Sequence, residues 1–186
     1  MFDIDDAYYS LLKFRFSETK FNDLLMEIPF DTNEVVVYGK RHKIPREECF
    51  MVVSENVNYK YSGKDLRPIA LTPTVNKILE EVNELTDRKF NSVLANFYRN
   101  GSDKMGYHKD NEPELGVQPV VVSVSFGGSR YFNFKKEGEK AHKVLLEHGD
   151  VFIMKTGFQN EFSHAVPPSK TLIEPRISLT FREILT

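Results

Sequence analysis

Hydrophobic and polar positions change period near residue 90. Before it, Phe21, Leu24, Leu25 and Ile28 recur at three- and four-residue spacing, with Ser17 placed as an N-cap and Pro29 as a stop; this predicts a helix. A second helix is predicted from Thr72 as N-cap and Pro73 at the first helical position, with an apolar stripe of Val75, Ile78, Leu79, Val82 and Leu85. Beyond residue 90 the alternation is twofold, and Leu94–Arg99, Val120–Phe126, Arg130–Lys135, Lys143–Leu146, Val151–Met154 and Arg176–Ile184 read as strands. Gly127-Gly128-Ser129 and Glu147-His148-Gly149-Asp150 supply turns between them. Short strands with frequent turns suggest a sandwich or jelly roll. The expected fold class is therefore α+β. Two N-terminal helices back a C-terminal β-sandwich, and a β-rich segment from about Val35 to Tyr61 lies between the helices.

Composition narrows the class without naming a chemistry. The 186 residues are 40% hydrophobic and 28% charged, as in a soluble protein with one core. No apolar run is long enough for a membrane span, and the acidic start Met1-Phe2-Asp3-Ile4-Asp5-Asp6 is unlike a secretory signal. Cys49 is the single cysteine, which excludes an internal disulfide and a cysteine-rich zinc site. An intracellular protein is expected, nuclear in a eukaryote and cytoplasmic in a bacterium. The net charge of −2 gives no global attraction to nucleic acid. Locally, Lys40, Arg41, Lys43 and Arg46 concentrate positive charge around His42. Composition alone makes that run a solvated hairpin tip.

The candidate chemistry lies in the last third. His108 and Asp110 are two apart, so on a strand both side chains would leave one face. Alone, a His-x-Asp triplet is a weak sign of metal. His164, before Ala165-Val166-Pro167-Pro168, would complete a set of two imidazoles and one carboxylate, the ligands expected of a non-haem Fe(II) oxygenase. His42, His142 and His148 sit in basic or turn-like contexts and carry no such role. On the last strand Ile177, Leu179 and Phe181 form one face, and Arg176, Ser178, Thr180 and Arg182 form the other. About 3.3 Å per residue puts the two arginine Cα atoms roughly 20 Å apart, and two inward-leaning guanidinium groups would leave room for a short diacid. That face could equally meet water. Asn96 and Tyr98 also share a face and would hydrogen-bond to a carboxylate or to solvent.

These residues, with others in order along the chain, resemble the AlkB family of Fe(II)/2-oxoglutarate dioxygenases, and most closely its double-stranded-DNA repair branch. The matching segments are Val37-Tyr38-Gly39-Lys40 with Pro45-Arg46, Tyr59-Lys60-Tyr61-Ser62-Gly63 and Phe90 to Tyr98. They continue with His108-Lys109-Asp110-Asn111-Glu112, Ser123-Val124-Ser125-Phe126-Gly127 and Pro175 to Arg182. The resemblance implies a double-stranded β-helix (jelly roll) over residues 90–186, helical support over 1–33 and a nucleotide-recognition lid over 34–65. It implies that His108, Asp110 and His164 hold iron, and that Asn96, Tyr98, Arg176, Thr180 and Arg182 hold 2-oxoglutarate, with dioxygen as co-reactant.

The implied reaction is oxidative demethylation of bases such as 1-methyladenine and 3-methylcytosine in DNA. An N-methyl group is hydroxylated, the cosubstrate becomes succinate, and the hemiaminal collapses to formaldehyde and the repaired base. A base attacked this way must leave the stack. By the resemblance, Tyr38 would wedge into the gap, while Lys40, Arg41, Lys43 and Arg46 meet phosphates. Arg46, Tyr59, Tyr61, Ser62 and Glu112 would contact the damaged base. Tyr38 stands where relatives carry Phe, Arg41 where a Trp is expected, Asn111 in place of an acid, and Ser178 in place of an Asn. None of these departures touches the metal or cosubstrate set. The expected partner is alkylated DNA, with RNA, a protein or a small molecule as the alternative substrate class. A monomer acting away from membranes is expected.

Overall fold

A computed structural model describes residues 2–16, 20–32, 34–37, 40–54, 60–61, 64–65, 68–171 and 174–185, with only the backbone of 35–37, 40–42, 60–61 and 64–65. The N-terminal strands β1 (Ile4–Asp5) and β2 (Tyr9–Leu12) precede helix α1 (Lys20–Glu27). Next come β3 (Glu34–Val37), β4 (Lys40–Lys43), β5 (Glu47–Val52), β6 (Lys60–Tyr61), β7 (Lys64–Asp65) and β8 (Ile69–Ala70). Helix α2 (Pro73–Thr86), β9 (Ser92–Tyr98), β10 (Met105–His108) and a 3-10 turn at Pro113–Leu115 follow. The chain continues through β11 (Val121–Gly127), β12 (Arg130–Lys135), β13 (His142–Leu146) and β14 (Val151–Met154). It closes with α3 (Phe158–Glu161), β15 (Ser163–Val166) and β16 (Arg176–Arg182).

Two sheets carry the architecture: an eight-stranded one in the order β1-β2-β14-β11-β16-β9-β5-β8, and a four-stranded one in the order β10-β15-β12-β13. The centre of the large sheet is buried on both faces. One side packs Val93, Val122, Ile177, Leu179 and Phe181 against Leu24 and Ile28 at α1 and against Val75, Ile78 and Val82 of α2. The other side packs Leu11, Tyr98, Val121 and Phe152 against Phe132, Phe134, Leu146 and Val166 of the small sheet. This is the jelly-roll sandwich expected from the strand spacing.

β16 lies at the centre of the large sheet, paired on both sides, and every residue from Arg176 to Arg182 is buried. Its apolar residues take the helix side. The alternation therefore drives Arg176, Ser178, Thr180 and Arg182 into the space between the sheets. The turn out of β11 depends on Gly127, whose φ is +83°. A Cβ there would collide with the Pro175 carbonyl and the Phe21 ring, so only glycine lets β16 begin against this turn.

Several expectations change. The first 33 residues are not purely helical: β1 and β2 extend the large sheet, with β2 paired to β14. The run Tyr9–Leu12 is too short for its twofold period to stand out from the sequence around it. Leu25 is 40% exposed and is not a core residue. Thr72 is the N-cap of α2 without a side-chain cap bond; instead Glu27 of α1 accepts from the Thr74 backbone and hydroxyl at 2.8 and 2.6 Å. β5 belongs to the large sheet, so the segment between the helices is divided among that sheet, the β3–β4 hairpin and the β6–β7 pair. The expected cap Ser17 lies outside the described residues.

Candidate active site

The small sheet brings the two histidines together. β10 is its edge strand, and His108 is registered opposite His164 on β15, their rings 4.2 Å apart. His164 thus lies within a strand, just ahead of the Pro167-Pro168 pair. The chain leaves β10 after His108, so Asp110 joins His108 by a turn of the backbone and not by strand alternation. The Asp110 amide donates to Gln159 Oε1 of α3 at 3.0 Å, which fixes that turn. One ligand atom from each of His108, Asp110 and His164 lies within 4.8 Å of the others.

Local charge prepares these three side chains for a cation. His108 Nδ1 sits 2.9 Å from the Gly106 carbonyl; donating there presents Nε2 as the ligand nitrogen. Burial, reinforced by the neighbouring His164, pulls His108 down to about 4, so it is neutral at physiological pH. Burial would raise the Asp110 carboxyl, but Arg182 together with the two neighbouring histidines outweighs it and holds the group well below the usual carboxylate range. Arg182 Nη2 donates to Asp110 Oδ1 at 2.8 Å, while the buried Oδ2 lies 3.5 Å from His164 Nε2 and accepts no hydrogen bond. An orphaned carboxylate oxygen beside two imidazoles fits a divalent metal.

A pocket runs from this cluster along β16. Asn96, Tyr98, Thr180, Arg176 and Arg182 line it together with the three metal-ligating candidates. Its two arginines differ in state. Arg182 is engaged with Asp110 at the metal end. Arg176, 1% exposed, donates from Nη2 to Ser125 Oγ at 2.8 Å and to Ser178 Oγ at 3.5 Å, yet its Nε and Nη1 have no acceptor. Burial pulls Arg176 down to about 10. A buried cation with unmet donors, facing a polar trough away from the metal cluster, is arranged to receive an anion.

The remaining predicted residues divide. Arg46, expected at phosphates or base, is 7% exposed, and its Nε donates to Asn96 Oδ1 at 2.6 Å while Nη2 meets Glu48 Oε2 at 3.2 Å. It braces Asn96 from within and is not free to meet phosphate. Glu112 is half-buried two residues beyond Asp110. Lys43 is exposed at the end of β4. For Lys40 and Arg41 the structure gives the hairpin register Val37↔Lys40 and Val36↔Arg41, and for Tyr61 its pairing with Lys64. Tyr38, Tyr59 and Ser62 lie outside the described residues. His142 stacks on Phe134, and His148 accepts from the Gly127 amide, so neither joins the metal cluster.

Sequence reasoning missed Gln159, Ser125 and Arg130. Ser125 was readable as the inward neighbour of Ser123 on a strand of alternating period. Gln159 and Arg130 carry no spacing signal, because each acts across a long loop.

The comparisons agree with this geometry. The 2OG-Fe(II) oxygenase superfamily matches over residues 8–182. The mouse DNA oxidative demethylase ALKBH2 is 32% identical over 177 residues, covering 89% of this chain and 74% of its own. The human ALKBH2 is 31% identical, covering 98% of this chain and 74% of its own. The human alpha-ketoglutarate-dependent dioxygenase alkB homolog 3 is 36% identical over 137 residues, which are 68% of this chain and 48% of that protein. The solved structure of OsALKBH1 superposes with a TM-score of 0.66 over 97% of this chain at 19% identity, a likeness of fold.

Proposed function

Since the chain belongs to the AlkB family of 2OG-Fe(II) oxygenases, we propose that it repairs alkylated nucleic acid, removing N-methyl groups from adenine and cytosine in DNA. The observation that carries this reading is the paired arrangement of a metal cluster and an anion trough. Asp110 Oδ2 is orphaned beside His108 and His164, and Arg176 waits with two unmet donors farther along the same pocket. Likeness to DNA oxidative demethylases supports the substrate class.

On this reading His108, Asp110 and His164 hold Fe(II), and Asn96, Tyr98, Arg176, Thr180 and Arg182 hold 2-oxoglutarate. When bound, the metal would supply the oxidising power with dioxygen as oxidant and 2-oxoglutarate as its two-electron reductant, so that an N-methyl group becomes a hydroxymethyl, which leaves as formaldehyde. This chain's own residues orient the parts. Arg182 turns Asp110 so that Oδ2 faces the histidines, Gln159 fixes the Asp110 backbone, and Gly106 fixes the His108 tautomer. Arg46 holds the Asn96 amide by its oxygen, leaving the NH2 end for an acceptor. The β3–β4 hairpin presents Tyr38 as the wedge, with Lys40, Arg41 and Lys43 at the phosphates; Glu112, Tyr59, Tyr61 and Ser62 receive the flipped base.

The test is formaldehyde release from matched single-stranded and duplex oligonucleotides carrying 1-methyladenine, with Fe(II) and 2-oxoglutarate. Release that disappears in His108→Ala supports the reading. Turnover of 2-oxoglutarate without formaldehyde from any methylated nucleic acid would transfer the chemistry to a protein or small-molecule substrate.

A further inference from the structure

We infer that Arg130 is a second buried cation serving the far carboxylate of the cosubstrate, a positioning residue that makes the pocket prefer a dianionic 2-oxo acid to a monoanionic one. This rests on the reading that the pocket holds 2-oxoglutarate.

Arg130 opens β12 and is 2% exposed. Its Nη2 donates to the carbonyls of Asp103 and Pro167 at 2.7 and 2.6 Å, and its Nη1 to that of Asn100 at 3.3 Å. Its Nε is buried without an acceptor. Asp103 offers Arg130 its carbonyl and gives its carboxylate to Arg99, at 2.8 Å to Nε and 2.9 Å to Nη2. The hydrogen bonds of Arg130 are thus to neutral carbonyls.

Arg130 also shares a ring with the anion-facing arginine. The guanidinium carbons of Arg130 and Arg176 each lie 5.4 Å from the Tyr98 ring centroid. Two like charges buried around one aromatic ring repel in a medium that screens poorly, and Arg130 disfavours the charged form of Arg176. An anion accepting from the free Nε and Nη1 of Arg176 would be attracted by both cations at once. Tyr98 lines the pocket and Arg130 does not, so Arg130 acts through the ring and the field, without touching the ligand.

A plain loop clamp would explain the three carbonyl bonds, but it would not distinguish one ligand charge from another. Its loss would weaken every 2-oxo acid alike. A field centred at the far carboxylate acts most strongly on ligands that carry one, because its effect on the carboxylate at the metal end falls with distance. The contrast between 2-oxoglutarate and 2-oxopentanoate, the same five carbons without that carboxylate, separates the two roles.

The experiment is calorimetric titration of the Mn(II)-loaded full chain with each acid, for the wild type, Arg130→Gln and Arg130→Lys. We expect Arg130→Gln to weaken 2-oxoglutarate on the order of tenfold while 2-oxopentanoate and Mn(II) affinities hold within about twofold. Arg130→Lys keeps the charge but cannot reach all three carbonyls. It should lower Tm while retaining most of the dianion preference, and this outcome tests the inference even if the glutamine variant fails to fold. Equal weakening of both acids, or loss of preference in Arg130→Lys, would overturn it. A wild type that shows no preference for the diacid would instead refute the 2-oxoglutarate reading of the pocket, and the inference with it.

Discussion

Replacing Arg176 with Met separates the arginine's service to a ligand from its service to the fold. In the ligand-free protein this side chain is 1% exposed, and two of its N–H groups have no acceptor. Each unmet buried donor costs about 1–3 kcal/mol, and burying an unpaired charge adds to that. Against this stands the hydrogen bond to Ser125, worth about 1 kcal/mol net. Ser178 keeps its 3.0 Å contact with Ser123 when the arginine is gone. Methionine occupies similar space without a charge, so the ligand-free variant should match the wild type or exceed it by about 1–3 kcal/mol. In a chain of this size that is a rise of roughly 2–12 °C in Tm. With 2-oxoglutarate at a hundred times its Kd, the wild type should gain about 2.7 kcal/mol and the variant nothing. The order of the two melting curves should therefore converge or reverse when the cosubstrate is added. Differential scanning fluorimetry with Mn(II), with and without 2-oxoglutarate, reads this directly. A ligand-free Arg176→Met protein destabilised by more than about 2 kcal/mol would refute the reasoning and make Arg176 a structural ion.

Three other outcomes are expected. Gly127→Ala, which forces a Cβ into the Pro175 carbonyl at positive φ, should cost about 1–3 kcal/mol in urea unfolding, and an unchanged midpoint would show that this turn is not constrained. Burial raises the Asp103 carboxyl but its bonds to Arg99 prevail and lower it, so its contribution is present above the unfolded value near 3.9 and is lost as pH falls through the folded one. Asp103→Asn should therefore destabilise the protein at pH 7 and flatten its loss of stability below about pH 4; a variant as acid-sensitive as the wild type would contradict this. Tyr38→Ala should reduce activity on duplex far more than on single strands, and equal reductions would remove the wedge role.

The parts of the site that the sequence exposes are those whose spacing equals a structural period. Arg176, Ser178, Thr180 and Arg182 share a face because β16 is a strand, and twofold alternation is local information. The burial of that face was not local: it follows from β16 sitting between β11 and β9, with a second sheet above it. The strand around His164 gives no signal of its own, because β15 is four residues long and ends at Pro167-Pro168, with its partner β10 far away in the chain. Arg46 misled for a related reason. It belongs to a basic run, but it stands next to β5, and the register of β5 with β9 puts Glu48 opposite Asn96. A charge that looks solvated in sequence is thereby drawn into the interior. Arg130 and Gln159 depend wholly on loop closure, which no period encodes.

The most direct test of the account is the ratio of formaldehyde to succinate produced by the wild-type protein on DNA carrying 1-methyladenine, beside the same DNA unmethylated. The account predicts a ratio close to one on the methylated strand and only slow, formaldehyde-free succinate formation on the control. Succinate formed at equal rates on both, with no formaldehyde from either, would contradict it.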